Sequence, residues 1–423
     1  MARRRRTVAQ HARLRSPHPF SQLMKLVAVG VVVVVVATLS TVAYAAYDLT
    51  ASFTREAVAV ENPIAVPPDI GEIEGGVNLL VVGIDECEDD LKELLGDRCD
   101  GADSDTQLND VTILLHISEE PRRVTVVSFP RDLMFTAPGC ARTDGGRWDG
   151  GFTQINELYS IGGLSCVMTA VSDMSGQQIP FGAMVTFGGV IDVTSAIGGV
   201  EVCLANPMVD RNTGIDWPAG PRTIQGVEAL QFLRTRYGVG GSDLARVSNQ
   251  QQYMSRLART LVSEEVLTDA GKLYRLASTG LRSVTPTETL TNPMTLVQIA
   301  LAVRDVPFED IVFVQYPSVP ASFNANRVEP DEDAAQVLWD ALAANQPIEV
   351  TGEVGADAGV VEVAPDPTPG TDPSEASVPT DDPSAEEPVV EAGEVDPRTG
   401  KVALPTSITG SSAAQQTCSA GTG

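Results

Sequence analysis

The sequence predicts an α/β or α+β sandwich around a central sheet, set behind one membrane-spanning helix and followed by a disordered acidic tail. Three observations predict it. An uncharged apolar run lies near the N-terminus, short β-branched runs alternate with helical apolar spacing across residues 77–345, and composition turns acidic and proline-rich across residues 351–400.

Residues 26–46 are 21 positions without a charge, and a helix of that length is about 30 Å long, the thickness of a bilayer's hydrocarbon core. Arg3, Arg4, Arg5, Arg6, Arg13, Arg15 and Lys25 precede it, with no acidic residue among them. The positive-inside rule therefore places residues 1–25 in the cytoplasm and the bulk of the chain outside, at the cell membrane. Ala43-Tyr44-Ala45 has the small residues of a cleavage site. The apolar run nevertheless exceeds the roughly 7–15 residues of a signal peptide, so it reads as a retained signal-anchor. Residues 47–76 read as a short polar stalk.

Net charge is −27 overall, and beyond Tyr47 only 22 basic residues face 56 acidic ones. Such a surface repels polyphosphate, so no nucleic-acid partner is expected. The 25-residue cytoplasmic segment is also too short for a helix-turn-helix. All six cysteines fall beyond the span, where an oxidising compartment favours disulfides. Cys87 with Cys99, and Cys140 with Cys166, each close a short loop-rich stretch; Cys203 and Cys418 are left for each other or free. There is no C-x-x-C pair and His116 is the only histidine beyond the span, which argues against a zinc site.

Within the 77–345 domain, 77–85, 111–117 and 124–130 are β-branched runs that read as buried strands. Apolar spacing predicts a helix over 154–175, ending near Gly176. Residues 183–204 read as strand, short helix and strand. Helices follow over 243–263, 269–283 and 292–303, then a buried strand at 311–316 and a closing helix at 331–344. Residues 351–400 hold 13 acidic residues, eight prolines after Glu362 and no aromatic residue, a composition that reads as disordered. Residues 401–423 form a less polar C-terminal segment that could dock back on the domain.

Two segments suggest chemistry. In RTRYGVGGSDLARVSNQQQ, residues 234–252, Arg234 and Arg236 stand two apart, which in an extended segment places them on one side. A glycine-rich turn leads to a helix with Ser242 as N-cap, and Asp243, Arg246 and Gln250 fall on one face of it. Arginines beside a helix N-terminus suit phosphate oxygens, which the planar guanidinium fork pairs bidentately. In VTVVSFPRD, residues 124–132, a strand stops at Pro130 and leaves Arg131 and Asp132 at its C-terminal edge, where α/β proteins place ligands. Asp85 ends the first strand and Asp110 precedes the next; carboxylates at neighbouring strand ends suit a shared Mg2+.

Together VNLLVVGID, NDVTILLHI, VVSFPRD, INELYSIGG and RTRYGVGGSDLARVSNQQQ, spread over about residues 77–264, resemble the LytR-CpsA-Psr family. The resemblance implies an α/β/α sandwich with a central mixed sheet. It also implies transfer of a cell-wall glycopolymer from a polyprenyl pyrophosphate carrier to a peptidoglycan acceptor through a phosphodiester. By position, Arg131, Arg234, Arg236 and Gln250 would hold the pyrophosphate. Asp85 and Asp110 would place Mg2+, and Asp243 and Arg246 would support the arginines. Val185, Phe187, Val190, Ile191 and Ile197 would line a cavity for the lipid tail. Two positions depart from the family pattern: Leu108 and Asn249 stand where the family usually has arginine. Arg142 or Arg147 could supply the missing charge.

The mechanism this implies is phosphoryl transfer, with Arg131, Arg234, Arg236 and Asp110 as the catalytic group and Asp110 or Asp132 as candidate proton acceptors. The rival readings are a non-catalytic binder of the lipid-linked donor or wall polymer, and a pyrophosphatase acting on that donor. A Ser/His/Asp hydrolase would rest on His116, which lies inside an apolar strand. A glycoside hydrolase would leave the arginines unexplained.

Overall fold

The computed structural model describes residues 19–422 apart from 68, 74, 90, 93–98, 100–106, 262–269, 356–358 and 364–389. The chain divides into two units, residues 1–51 and 52–423. Helix α1, Pro19–Arg55, runs through the first and ends in the second. Its stretch Gln22–Thr41 is long and apolar enough to cross a membrane, a candidate anchor. The helix outruns the expected 26–46 because no glycine or proline interrupts the next nine residues.

The order in the second unit begins β1 (Val77–Ile84), β2 (Asn109–Ile117), β3 (Val124–Phe129), β4 (Met134–Ala141), β5 (Arg147–Gln154) and α2 (Leu158–Ser175). It continues β6 (Phe181–Val185), α3 (Phe187–Ala196), β7 (Val200–Leu204), β8 (Met208–Asp210), β9 (Ile215–Trp217), β10 (Gly220–Ile224), α4 (Val227–Arg234) and α5 (Asp243–Leu261). Then come α6 (Ala270–Ser283), β11 (Val284–Pro286), α7 (Pro293–Arg304), β12 (Ile311–Gln315), β13 (Ser318–Pro320), β14 (Val328–Pro330) and α8 (Glu332–Ala343). The last strands are β15 (Ile348–Glu349), β16 (Val360–Glu362), β17 (Val402–Ala403), β18 (Gly410–Ser412) and β19 (Thr417–Ser419).

Seven strands form a mixed sheet in the order β11-β6-β1-β2-β3-β12-β18. Alternation along its central strands buries both faces. Leu80, Val82 and Ile84 of β1, Val127 and Phe129 of β3, and Val312 and Val314 of β12 pack with Leu164, Val167 and Val171 of α2 and Leu338 of α8. The residues between them, Val77, Val124, Val126, Ile311 and Phe313, face the opposite layer with Leu296, Ile299 and Val303 of α7. This is the predicted α/β/α sandwich with a central mixed sheet, and burial on both faces explains why its strands read as continuous apolar runs. A second sheet, β10-β7-β19-β16, encloses a smaller core with Phe232 of α4 and Tyr253 of α5.

Parts of the presumed stalk and tail belong to the domain. Val58 bridges to Thr287, Phe53 and Ile70 are buried, and Glu61 pairs with Arg147. Of the stretch expected to be disordered, 356–358 and 364–389 lie outside the described residues. Val360–Glu362, however, pair with Thr417–Ser419, and Asp396 is buried. Composition over a window is blind to a strand partner more than fifty residues away in sequence. Residues 401–423 do dock, and all three disulfides form: Cys87–Cys99, Cys140–Cys166 and Cys203–Cys418.

His116 is structural. It is 2% exposed in β2, its Nδ1 lies 2.9 Å from Asn78 Oδ1, and burial together with Arg123 pushes its pKa down to about 4. Because the folded value lies below the unfolded one, His116 costs no stability above about pH 6.5 and destabilises the fold progressively as pH falls toward 4. The loss amounts to roughly 2–3 kcal/mol by pH 4.5. Urea unfolding at pH 7.0 and 4.5 should show His116→Gln losing less stability on acidification than wild type by about that amount; parallel losses would refute the assignment.

Candidate active site

Strand direction gathers the expected residues. Since β2 runs antiparallel to both β1 and β3, the end of β1, the start of β2 and the end of β3 meet at one edge of the sheet. Asp85, Asp110 and Arg131 follow from that. The register passes from Gly83↔Val111 to Ile84↔Asn109, so Asp110 is the extra residue of a bulge, a device that re-aims a side chain. Its neighbour Asn109 points inward and is held by Thr112, the Ile155 carbonyl and the Tyr159 amide.

The re-aimed Asp110 accepts a hydrogen bond of 2.7 Å from Arg131 Nη1. Arg131 Nε lies 3.3 Å from Asp243 Oδ1, and Arg246 Nη2 is 2.8 Å from the same oxygen and 3.3 Å from the Asp110 carbonyl. Arg246 is only 4% exposed. Burial works to raise the Asp110 pKa, but Arg131, Arg246 and Arg234 outweigh it and hold the carboxyl below its ordinary range. Burial likewise opposes the charge on Arg131, and Asp110 and Asp243 more than restore it. For Arg246 burial prevails, so its pKa falls.

Asp132 is the second hub. Its Oδ1 accepts from Gln154 Nε2 at 2.8 Å and from Arg327 Nη1 at 3.0 Å. Its Oδ2 lies 3.9 Å from both Arg131 Nε and Arg236 Nη2. Burial and the neighbouring Asp243 nevertheless raise its pKa, against Arg131, Arg327 and Arg236. These groups line an open cavity of about 790 Å3 with Asn156, Glu157, Ser242 and Leu108.

The segment expected to be extended is instead a helix end. Arg234 is the last residue of α4, and only Thr235 is extended. The two arginines therefore separate. Arg234 sits over the Phe187 ring, 4.9 Å from its centre, and reaches Asp110 electrostatically, whereas Arg236 approaches Asp132. Asp210, which no sequence motif singled out, shapes this turn: its Oδ2 accepts from Thr235 Oγ1, Arg236 N and Tyr237 N. Gly240 and Gly241 take positive φ, 108° and 84°, conformations that favour glycine, and turn the chain into α5. There Ser242 Oγ caps the Ala245 amide as expected.

Other expectations are redirected. Gln250 donates to the Leu233 carbonyl at 2.9 Å, tying α5 to α4. Arg142 pairs with Asp144 of the β4–β5 turn and Arg147 with Glu61 of the segment before β1, so each already has its own carboxylate. Asn249 is fully buried; it donates to the Phe232 carbonyl and meets Ser419 of β19, so its place is the joint with the C-terminal strand. Of the proposed lipid-cavity residues, Phe187 and Ile191 pack with Leu91, Cys99 and Leu230, and Ile197 joins the smaller core.

Asp85 is 7% exposed, and its Oδ1 accepts from the Leu108 amide at 2.8 Å. Among the described residues no group of three or more His, Cys, Asp or Glu could hold a metal by itself. Two hard carboxylates at one sheet edge do fit Mg2+, which commonly takes one or two carboxylates and completes its shell with substrate phosphates and water.

A model of the LytR_cpsA_psr family matches residues 38–344. The chain is 30% identical over 231 residues to the cell wall biosynthesis protein LcpA of Corynebacterium glutamicum, covering 50% of this chain and 45% of that one. It is 23% identical over 175 residues to the polyisoprenyl-teichoic acid–peptidoglycan teichoic acid transferase TagU of Enterococcus faecalis, covering 41% and 54%. The chain thus spans about half the length of these curated relatives. A LytR-Csp2A-Psr enzyme from Actinomyces oris shares the fold, with TM-score 0.50 and 18% identity over 68% of this chain and 94% of that one.

Proposed function

As the chain belongs to the LytR-CpsA-Psr family, we propose that it is a phosphotransferase. It moves a cell-wall glycopolymer from a membrane-borne polyprenyl pyrophosphate carrier to peptidoglycan outside the cell, leaving a phosphodiester. The observation that carries this reading is the Arg131–Asp110 pair at 2.7 Å, set beside a cavity that Arg131 and Arg236 enter.

An acceptor sugar hydroxyl attacks the sugar-proximal phosphorus. The new P–O bond forms as the bond to polyprenyl phosphate breaks, and the hydroxyl proton passes to a base. Arg131, Arg234 and Arg236 offset charge on the phosphate oxygens, while Asp243, itself paired with Arg246, holds Arg131 in place. Asp85 and Asp110 are the residues that would hold Mg2+, whose charge offsets that of the pyrophosphate. Of the two candidate bases Asp132 is better suited. Its raised pKa and its place in the cavity favour proton uptake, whereas Asp110 is held ionised by its arginines.

The test supplies the full chain in nanodiscs with a polyprenyl-pyrophosphate-linked glycan and a peptidoglycan fragment, with Mg2+ or with chelator. Product bearing a phosphodiester is expected, lost on chelation, and Arg236→Ala should lower kcat/KM about 10–100-fold, the worth of one charge-assisted hydrogen bond. Binding without turnover would instead indicate a carrier-binding protein, and release of free glycan phosphate a pyrophosphatase.

A further inference from the structure

The cavity holds a cation that no motif includes. Arg327 is the last residue of the loop that joins β13 to β14. Its amide donates to the Asn324 carbonyl, and its own carbonyl accepts from Ala321. The next residue is joined to the site itself: the Val328 amide donates to the Asp132 carbonyl, and Val328 bridges to Leu133. The backbone therefore fixes Arg327 beside the segment that carries Arg131 and Asp132.

Its guanidinium donates to Asp132 Oδ1 at 3.0 Å and to the Asn326 carbonyl at 3.2 Å. The side chain is 32% exposed and lines the same cavity as Arg131 and Arg236. Asp132 is consequently one carboxylate shared by three guanidiniums, with Asp243 and Glu157 lining the same cavity. Arg131 has Asp110 and Asp243 besides. For Arg327 the only carboxylate within salt-bridge distance among the described residues is Asp132. A partly exposed guanidinium on a shared carboxylate exchanges it for an incoming phosphate oxygen at little cost, because bidentate contact with phosphate is at least as strong.

We propose that Arg327 is a substrate-binding residue: it contacts a phosphate oxygen of the lipid-linked donor beside Arg131 and Arg236, and Asp132 positions it there. This rests on the transferase reading above. It adds a cation in the cavity that Leu108 also lines, from a hairpin outside the strand-end and helix motifs. It also couples binding to chemistry, since an Asp132 that gives up Arg327 becomes the stronger base.

The test measures calorimetric binding of geranylgeranyl pyrophosphate to the full chain in nanodiscs, for wild type, Arg327→Ala, Arg327→Lys and Arg236→Ala. The expected result is a Kd at least about tenfold higher for Arg327→Ala, an intermediate value for Arg327→Lys, and a loss of similar size for Arg236→Ala. Wild-type affinity in Arg327→Ala with weakened binding in Arg236→Ala overturns the assignment of Arg327 and leaves the site reading intact. Unchanged affinity in both variants overturns the site reading, and Arg327 with it. Should Arg327→Ala lower the melting temperature without ligand, Arg327→Gln takes its place under the same criteria.

Discussion

Replacing Arg131 with alanine should lower turnover by about three orders of magnitude, the largest effect of any single change in the site. Two losses combine. One is the guanidinium that meets developing negative charge; the other is the partner of Asp110 and Asp243, which lie 2.7 and 3.3 Å from it. Without Arg131, Asp243 keeps only Arg246, and Asp110 only Arg246 and Arg234, as nearby countercharge, and a pyrophosphate would meet more uncompensated negative charge. Arg131→Lys should recover little, because one ammonium cannot span Asp110 and Asp243 as the planar fork does. Steady-state kinetics of both variants, with melting temperatures alongside, decides the matter. Turnover within tenfold of wild type in Arg131→Ala would remove Arg131 from the chemistry.

The sheet and the Arg131 edge were legible because both-face burial writes itself as uninterrupted apolar runs that stop at charged residues. Val124–Phe129 followed by Pro130-Arg131-Asp132 is such a run, and every residue of that strand is buried. The α5 start was legible through its glycines and Ser242. What could not be read was set by contacts between distant segments. Asp210 shapes the Arg236 turn from β8, and Gln154 and Arg327 reach Asp132 from two separate hairpins. None of these carries a local pattern. The Gln250 contact is of the same kind: its position on the helix is the expected one, and the nearby Leu233 carbonyl takes its amide. Asn249 stands where the family usually has arginine, and the contact with the C-terminal strand that it makes on that face of α5 has no local signature either.

Removing the Cys203–Cys418 disulfide should be the most damaging change outside the site. The bond closes a loop of 215 residues, for which loop-closure entropy gives up to about 5 kcal/mol of stabilisation. It holds β19 against β7, where Ser419 pairs with Leu204. Around it Gln252 donates to the Cys203 and Thr417 carbonyls. Guanidinium unfolding of Cys203→Ser/Cys418→Ser should therefore show a loss of about 3–5 kcal/mol, with reductant reproducing much of it in wild type. A variant that unfolds at the wild-type midpoint would show that the strand is held by its hydrogen bonds alone.

The same joint bears on how the protein is made. Strands β18 and β19 complete the edge of the large sheet and the interior of the small one, yet the ribosome produces them after every other strand of both sheets. Until they arrive, β12 and β7 each present an unpaired edge, a template for pairing with other chains, and Cys203 lacks its partner. A chain interrupted before residue 410 would carry every arginine of the site on a body that is open along two seams. An incomplete product would thus be exposed to aggregation and proteolysis along these two open seams.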